Sequence, residues 1–451
     1  MNSETEAAWL PEDFLKRIGG QLGEELPAFL RAMGEPPVRG IRFHPRRAAP
    51  GLPESDLLAP VPWAEDAWFL RAGSEAGVTV AHEAGAFYLQ DPSAMIPAVV
   101  LAPAPGETVL DLCAAPGGKS TQAAMRMAGK GLLICNEPVE KRARILSRNL
   151  ERMGVSNAVV VCAWPAALAA RWPEAFDAVL ADVPCSGEGM FRRDPESRRE
   201  WSRERAEGCA ARQAEILPSA AKLVRPGGRL VYSTCTWNPA ENEEQVERFL
   251  RRHPDFEPEG FSLPGINAPE GQWTCWPHRM RGEGQFTALF RRKGTGAARL
   301  PTGPAPGALS RETRALLRRE LPFLPEADGV LGSSVFRLNP IPDVSGLRVL
   351  RLGLHLAELR DRHAVPDHAF ALAENAPEVP AAEADDQKAL RYLAGETLEG
   401  EARGWTLIRW RGLTLGWAKG SGGTLRNHYP KGLRNALLKI GVDPEPGGKE
   451  A

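Results

Sequence analysis

At 451 residues the chain is too long for one ordinary hydrophobic core, and roughly two to four domains are expected. Its 43% hydrophobic and 25% charged residues are a soluble protein's balance, and its formal net charge of −1 excludes a molecule-wide field for nucleic acid, so any basic surface must be local. Seven cysteines, an odd number with no CxxC pair, argue against a disulfide framework or a metal site and for reduced thiols in the cytoplasm.

The acidic start, Met1 to Ala8, lacks an apolar segment, so no signal peptide is expected, and no apolar run is long enough to span a membrane. Residues 1–85 read as a small α+β unit. Phe14, Leu15, Ile18, Leu22, Leu26 and Phe29 recur at helical spacing. The strand-like stretch Val38 to Arg47 carries Arg39, Arg42, Arg46 and Arg47 with no acid nearby, either as a phosphate-contacting edge or as a solvated strand. Trp63, Trp68 and Phe69 are expected to pack this unit.

Residues 86–293 alternate strand and helix. Strands are expected at Val109–Leu112, Leu132–Cys135, Ala158–Cys162, Ala178–Ala181 and Arg229–Tyr232, with an edge strand at Thr287–Arg292. Helices are expected from Ser120 to Met127, Val139 to Met153, Ala206 to Leu223 and Glu241 to Arg252. That alternation predicts an α/β domain with a doubly wound, mainly parallel sheet, whose ligands bind beyond the carboxyl ends of the strands.

Four strand ends carry the chemistry. The loop Asp111-Leu-Cys-Ala-Ala-Pro-Gly-Gly-Lys-Ser120 follows a strand and opens a helix, and Gly117 and Gly118 let a ligand approach the backbone. The loop is neither GxxxxGK[ST] nor GxGxxG, so a pyrophosphate is not the expected guest. Glu137 ends the next strand, where an acid suits ribose hydroxyls. An adenosine without phosphates fits both features, which points to S-adenosylmethionine. Asp182 and Cys185 lie in the turn after the fourth strand, and Cys235 in the turn after the fifth. Either cysteine alone reads as a small core residue. Two in polar strand-end turns beside a cofactor loop read as thiols that add to an electron-poor carbon.

Residues 294–308 are rich in Gly, Pro, Ala and Thr and read as a linker to a small α+β unit, 309–372, with a helix from Arg311 to Leu321 and strands at Val335–Leu338 and Leu347–Leu354. An acidic segment, Glu374 to Glu401, precedes a basic one within the last unit, 373–451. Arg409, Arg411, Lys419, Arg426, Lys431, Arg434 and Lys439 fall between Trp405 and Val442 with no acid among them. Trp405, Trp410, Trp417 and Tyr429 are interleaved, and Thr406–Trp410 with Leu413–Trp417 predicts a hairpin. This reads either as an RNA-binding β module or as a solvated barrel with core tryptophans.

Taken together, Asp111 to Ser120, Asp182-Val-Pro-Cys-Ser-Gly187, Tyr232-Ser-Thr-Cys-Thr236, Asn238-Pro-Ala-Glu-Asn-Glu243 and Gln90-Asp-Pro-Ser93 resemble the Sun/nucleolar-protein family of RNA cytosine-5 methyltransferases. Leu415 to Gly420 and Leu425 to Arg434 resemble the PUA-like end of its bacterial RsmF branch, which methylates cytosine in 16S ribosomal RNA. The resemblance implies a Rossmann-like methyltransferase domain flanked by an N-terminal RNA-binding domain and a C-terminal PUA-like region. It implies Cys235 as nucleophile, Cys185 as the cysteine that aids product release, and Asp182 as the acid that engages cytosine. Cys113, Ala114, Ala115, Pro116, Gly117, Gly118 and Lys119 match the S-adenosylmethionine loop, and Glu137 the ribose acid, with Asp182 beside them. The implied partner is ribosomal RNA in the small subunit, met by a cytoplasmic monomer. One departure stands out: the family's adenine-side Asp after the third strand is absent from Val159-Val-Val-Cys-Ala-Trp-Pro165, where Trp164 is expected to pack on the ring instead. A DNA cytosine-5 methyltransferase is a rival, but its Glu-Asn-Val element is missing. A cytosine-5 methyltransferase for another RNA such as tRNA, or a ribosome-assembly factor with weak or lost catalysis, is a further alternative. Arg192, Arg193, Arg198 and Arg199 read either as RNA backbone contacts or as a solvated helix.

Overall fold

The computed structural model describes residues 9–374 and 378–440; the amino-terminal stretch read for a signal peptide and the end of the basic tail at Val442 lie outside them. At its centre stands a nine-stranded sheet. Its parallel strands are β1 (Thr108–Asp111), β2 (Leu132–Asn136), β3 (Ala158–Cys162), β4 (Phe176–Asp182) and β5 (Val224–Thr234), in spatial order β3-β2-β1-β4-β5. An antiparallel strand closes each side: β6 (Gln285–Arg292) on β5, and β7 (Arg348–Leu352) on β3. Two short strands, Phe256–Pro258 and Gln272–Cys275, lie along β6.

Side chains alternate between the faces, as a period of two requires. Val109, Leu133, Val160 and Leu180 enter one core, while Leu110, Ile134, Val161 and Val179 enter the other. Helices cover both faces, so the strands are continuous apolar runs rather than half-polar ones. α1 (Gly118–Met127) and α2 (Glu140–Arg152) contribute to the first core. α3 (Pro165–Arg171), α4 (Arg203–Leu223) and α5 (Glu243–Arg252) contribute to the second. The doubly wound sheet expected from the alternation is thus present; α3, opened by a proline in its first turn, the short strands along β6, and the joining of β7 to this sheet were not anticipated. The strand order reverses between β1 and β4, which opens the crevice where such folds bind ligands.

The N-terminal unit has helices Glu12–Leu22 and Leu26–Gly34 and a four-stranded sheet built on Arg39–Phe43. Three of its four arginines correct both readings, because their guanidinium groups bond to carbonyls or buried side chains of the fold; Arg46 is exposed and pairs with Glu374. Arg42 is buried and donates to Thr121 Oγ1 at 2.8 Å and to the Gly118 carbonyl at 3.1 Å, tying the unit to α1. Arg47 donates to the carbonyls of Ala84 and Arg152, each at 2.9 Å. Arg39 donates to the Ser74 carbonyl at 2.8 Å. Trp63 and Phe69 are buried as expected, with Trp63 Nε1 donating to the Pro92 carbonyl.

Residues 294–308 run along the protein surface and are held there. Thr302 bridges to Pro342 and Gly307 to Val330, and Leu300 and Ala305 pack on the central core. A helix, Arg311–Glu320, and a four-stranded sheet follow, and β7 leaves that region to join the central sheet. The expected hairpin is β8 (Gly404–Trp410) with β9 (Leu413–Ser421), inside a five-stranded sheet. Its aromatics follow the core reading of the two that the sequence left open: Trp405, Trp410, Trp417 and Tyr429 are all at most 8% exposed. Indole N–H groups anchor two of them, Trp410 to Asp386 and Trp417 to the Asp367 carbonyl. They form a core rather than a stacking platform for bases.

Candidate active site

The carboxyl ends of β1, β2, β4 and β5 border one cleft of about 730 Å³. Cys113, Ala115, Glu137, Asp182, Cys185 and Cys235 all line it. That size falls in the range of roughly 300–1,000 Å³ typical of small-molecule sites.

The loop after β1 is fixed on several sides. The Ala114 amide donates to the Asn136 carbonyl at 2.8 Å, and Asn149 of α2 donates to the Pro116 carbonyl at 2.9 Å. Gly117 has φ of 113°, in the left-handed region that favours glycine. Asp111 at the end of β1 is buried and accepts from Ser120 Oγ at 2.6 Å; burial pushes its carboxyl up to about 7. Glu137 is also buried, with one oxygen accepting from the Val139 amide at 3.0 Å and the other 3.0 Å from Arg142. A fixed acid at this place suits a ribose diol. A phosphate there would face both Glu137 and Asp182, which agrees with an adenosine cofactor lacking phosphates.

Lys119, at the end of the loop, pairs with Asp182. Its Nζ donates to Asp182 Oδ2 at 2.8 Å, while Asp182 Oδ1 accepts from Ser233 Oγ at 2.6 Å and from Gln285 Nε2 at 3.2 Å. Burial disfavours the Lys119 charge, but the Asp182 carboxylate outweighs it and holds the ammonium above its ordinary range. Asp182 is therefore a carboxylate fixed by three donors at the cleft floor.

The two strand-end cysteines meet. Cys185 Sγ and Cys235 Sγ are 3.3 Å apart, and the Cys235 amide donates to Cys185 Sγ at 3.3 Å. The Cys185 thiol is pushed well up, first by its hydrogen bond to Cys235 and then by burial. Cys113 is also pushed up, by burial and then by the Asp111 charge. Two of the three cleft thiols are thus held protonated by their surroundings.

Several residues that fix this geometry were not singled out from sequence. Glu241, fully buried, accepts from the Ser186 amide at 2.9 Å, from Ser186 Oγ at 2.5 Å and from Gln213 Nε2 at 3.0 Å, tying the Cys185 turn to the segment after Cys235. Asn242 accepts from Thr234 Oγ1 and donates to the Thr236 carbonyl, clasping the Cys235 turn. Both lie in the Asn238-to-Glu243 stretch, which stood out as a motif without a role. Gln285 begins β6, where only the apolar pattern was visible. Of the four arginines after Cys185, Arg192 is structural: it pairs with buried Glu283 at 2.9 Å and donates to the Ala32 and Gly282 carbonyls. Arg198 covers the Trp9 ring at 4.4 Å, and Arg199 is an exposed partner of Glu196.

A doubly wound sheet with this loop after β1, an acid after β2 and a cleft of small-molecule size at their ends defines an S-adenosylmethionine-dependent methyltransferase. More particularly, the chain belongs to the 16S rRNA methyltransferase RsmB/F family, whose model matches residues 98–291. Models of the RsmF N-terminal domain, first C-terminal domain and PUA domain match residues 10–92, 324–373 and 379–435. The Ribosomal RNA small subunit methyltransferase F of Klebsiella pneumoniae is 32% identical over 94% of this chain and 96% of its own length. A methyltransferase homolog from Pyrococcus horikoshii, solved as a crystal structure, is 27% identical with a TM-score of 0.55, covering 64% of this chain and 98% of its own. NSun6 from the same organism, solved with the cofactor analogue SFG, shares the fold at 21% identity and a TM-score of 0.56, covering 64% of this chain and all (100%) of its own.

Proposed function

We propose that this protein methylates C5 of cytosine in 16S ribosomal RNA within the small subunit, through a covalent bond between Cys235 and C6. The observation that carries this reading is the pair of thiols 3.3 Å apart, at the ends of adjacent strands, in the cleft that also holds Asp182 and the cofactor loop. The names of the relatives supply the RNA.

C5 of cytosine is a weak nucleophile. The Cys235 thiolate adds to C6, the displaced π pair moves through C5 and C4 toward N3, and N3 takes up a proton, which leaves a neutral enamine nucleophilic at C5. Asp182, held by Lys119, Ser233 and Gln285, hydrogen-bonds the base edge and holds that proton at N3. S-adenosylmethionine would be held by the loop Cys113 to Lys119 and by Glu137 and would supply an electrophilic methyl on its sulfonium. The enamine takes that methyl at C5 as the methyl–sulfur bond breaks and the thioether S-adenosylhomocysteine leaves; a base then removes the C5 proton, the returning pair expels the Cys235 thiolate, and N3 gives up its proton. Cys185, kept as a thiol beside Cys235, assists that departure. The base must leave its stack to enter the cleft, and loops offer it more readily than A-form helices.

The test is transfer of labelled methyl from S-adenosylmethionine to purified small subunits lacking the modification. Label should appear as 5-methylcytosine and vanish in Cys235→Ala. Cys185→Ala should leave an RNA–protein adduct that survives a denaturing gel. If both variants are inactive and neither forms an adduct, the division of roles is wrong.

A further inference from the structure

The cleft has one end that the methyl-transfer chemistry does not use. Its lining there includes Val139, two residues past Glu137, and Trp164, which ends the segment after β3. Among the described residues few large hydrophobic side chains are strongly exposed, yet two of them are these: Val139 is 51% exposed and Trp164 is 72% exposed. An exposed indole on a cleft rim gains nothing from the fold around it; its apolar faces remain available to a flat partner. Trp164 is held ready for one. It sits at extended φ and ψ of −69° and 143°, just before Pro165, which opens α3, and its carbonyl accepts from the Ala167 and Leu168 amides.

The side-chain acceptors of this end are committed elsewhere. Glu137 is held by the Val139 amide and Arg142. Asn136 Oδ1 accepts from the Ala163 amide, and its Nδ2 donates to the Leu112 carbonyl. The segment Cys162-Ala-Trp-Pro165 offers no carboxylate or amide side chain.

We propose that Trp164 and Val139 clamp the adenine ring of the cofactor by its faces, so that the purine is recognised by stacking and its amino edge is left unread. The inference rests on the cofactor assignment and not on the identity of the RNA target. A site that hydrogen-bonds a polar group rejects an analogue lacking it strongly, whereas an apolar wall discriminates weakly. The cofactor site should therefore accept a purine without the adenine amino group.

Calorimetric titration of the full-length protein, without RNA, tests this. The probes are S-adenosylhomocysteine and its counterpart with hypoxanthine in place of adenine. The two should bind within about threefold of each other. Trp164→Ala should weaken both by about five- to a hundredfold, the size of one base–aromatic stack, while Trp164→Phe stays near the parent. Because Trp164 is largely exposed, the Ala variant should melt with the parent. A preference of tenfold or more for the adenine form (a read edge) overturns the proposal. So does unchanged affinity in Trp164→Ala; a higher KM for RNA in that variant would then assign the indole to RNA.

Discussion

Three thiols border one cleft, and their neighbours separate them. Cys113 is raised by burial and then by the Asp111 charge, and Cys185 by its hydrogen bond to Cys235 and then by burial. Asp111 itself carries a pH signature. Its folded pKa of about 7 lies above the ordinary aspartate value, so between about pH 4 and 7 the folded state keeps a proton that the unfolded chain releases. Stability contributed by this group is therefore complete below pH 4 and is lost as pH rises toward 7. Asp111→Asn does not titrate and still accepts the Ser120 hydroxyl. Urea unfolding of both proteins at pH 5 and pH 8 should show the variant gaining on the parent by about 2–3 kcal/mol across that interval. An unchanged difference would mean that Asp111 is already ionised at pH 5.

At the level of elements, the site is two strand-end turns locked together by a third segment. Glu241→Ala would leave the Ser186 amide, the Ser186 hydroxyl, Gln213 and Asn238 without their shared acceptor in a buried place. The expected cost is about 3–5 kcal/mol of stability, with a fall in kcat larger than any change in KM, because the thiols lose their register while the cofactor loop keeps its own. Chemical denaturation and steady-state kinetics together measure both. Much of this level was legible in the sequence: β1 to β5, their helices and the loops at their ends follow from apolar runs, caps and glycines, which are local signals. The roles of Glu241 and Gln285 were not, because each depends on which turn folds against which, and no spacing along the chain encodes that. For the arginines of the first unit and the tryptophans of the last, the sequence left two readings open for a related reason. A basic or aromatic pattern states which groups are present, and only packing decides whether they face RNA or carbonyls and core.

For the whole molecule, the first unit packs against the segments that carry the two cysteine turns. Phe14, Ile18 and Phe29 share a buried cluster with Phe191, Trp201, Trp237 and Trp276, which flank the two cysteine turns. Within that cluster Arg17 reaches Glu188 at 2.6 Å. Glu188 is fully buried three residues past Cys185, and it also accepts from the amide of Trp237, two residues past Cys235. One ion pair thus fixes both turns against a helix more than a hundred residues away in sequence. Removing the cation alone strands a buried carboxylate, whereas removing both charges does not. Arg17→Met should therefore cost about 3–5 kcal/mol and lower kcat, and adding Glu188→Gln should restore most of the stability. The double-mutant cycle, read by denaturation and by methyl transfer, distinguishes this from simple packing: if the two losses merely add, the pair is not what couples the first unit to the thiols.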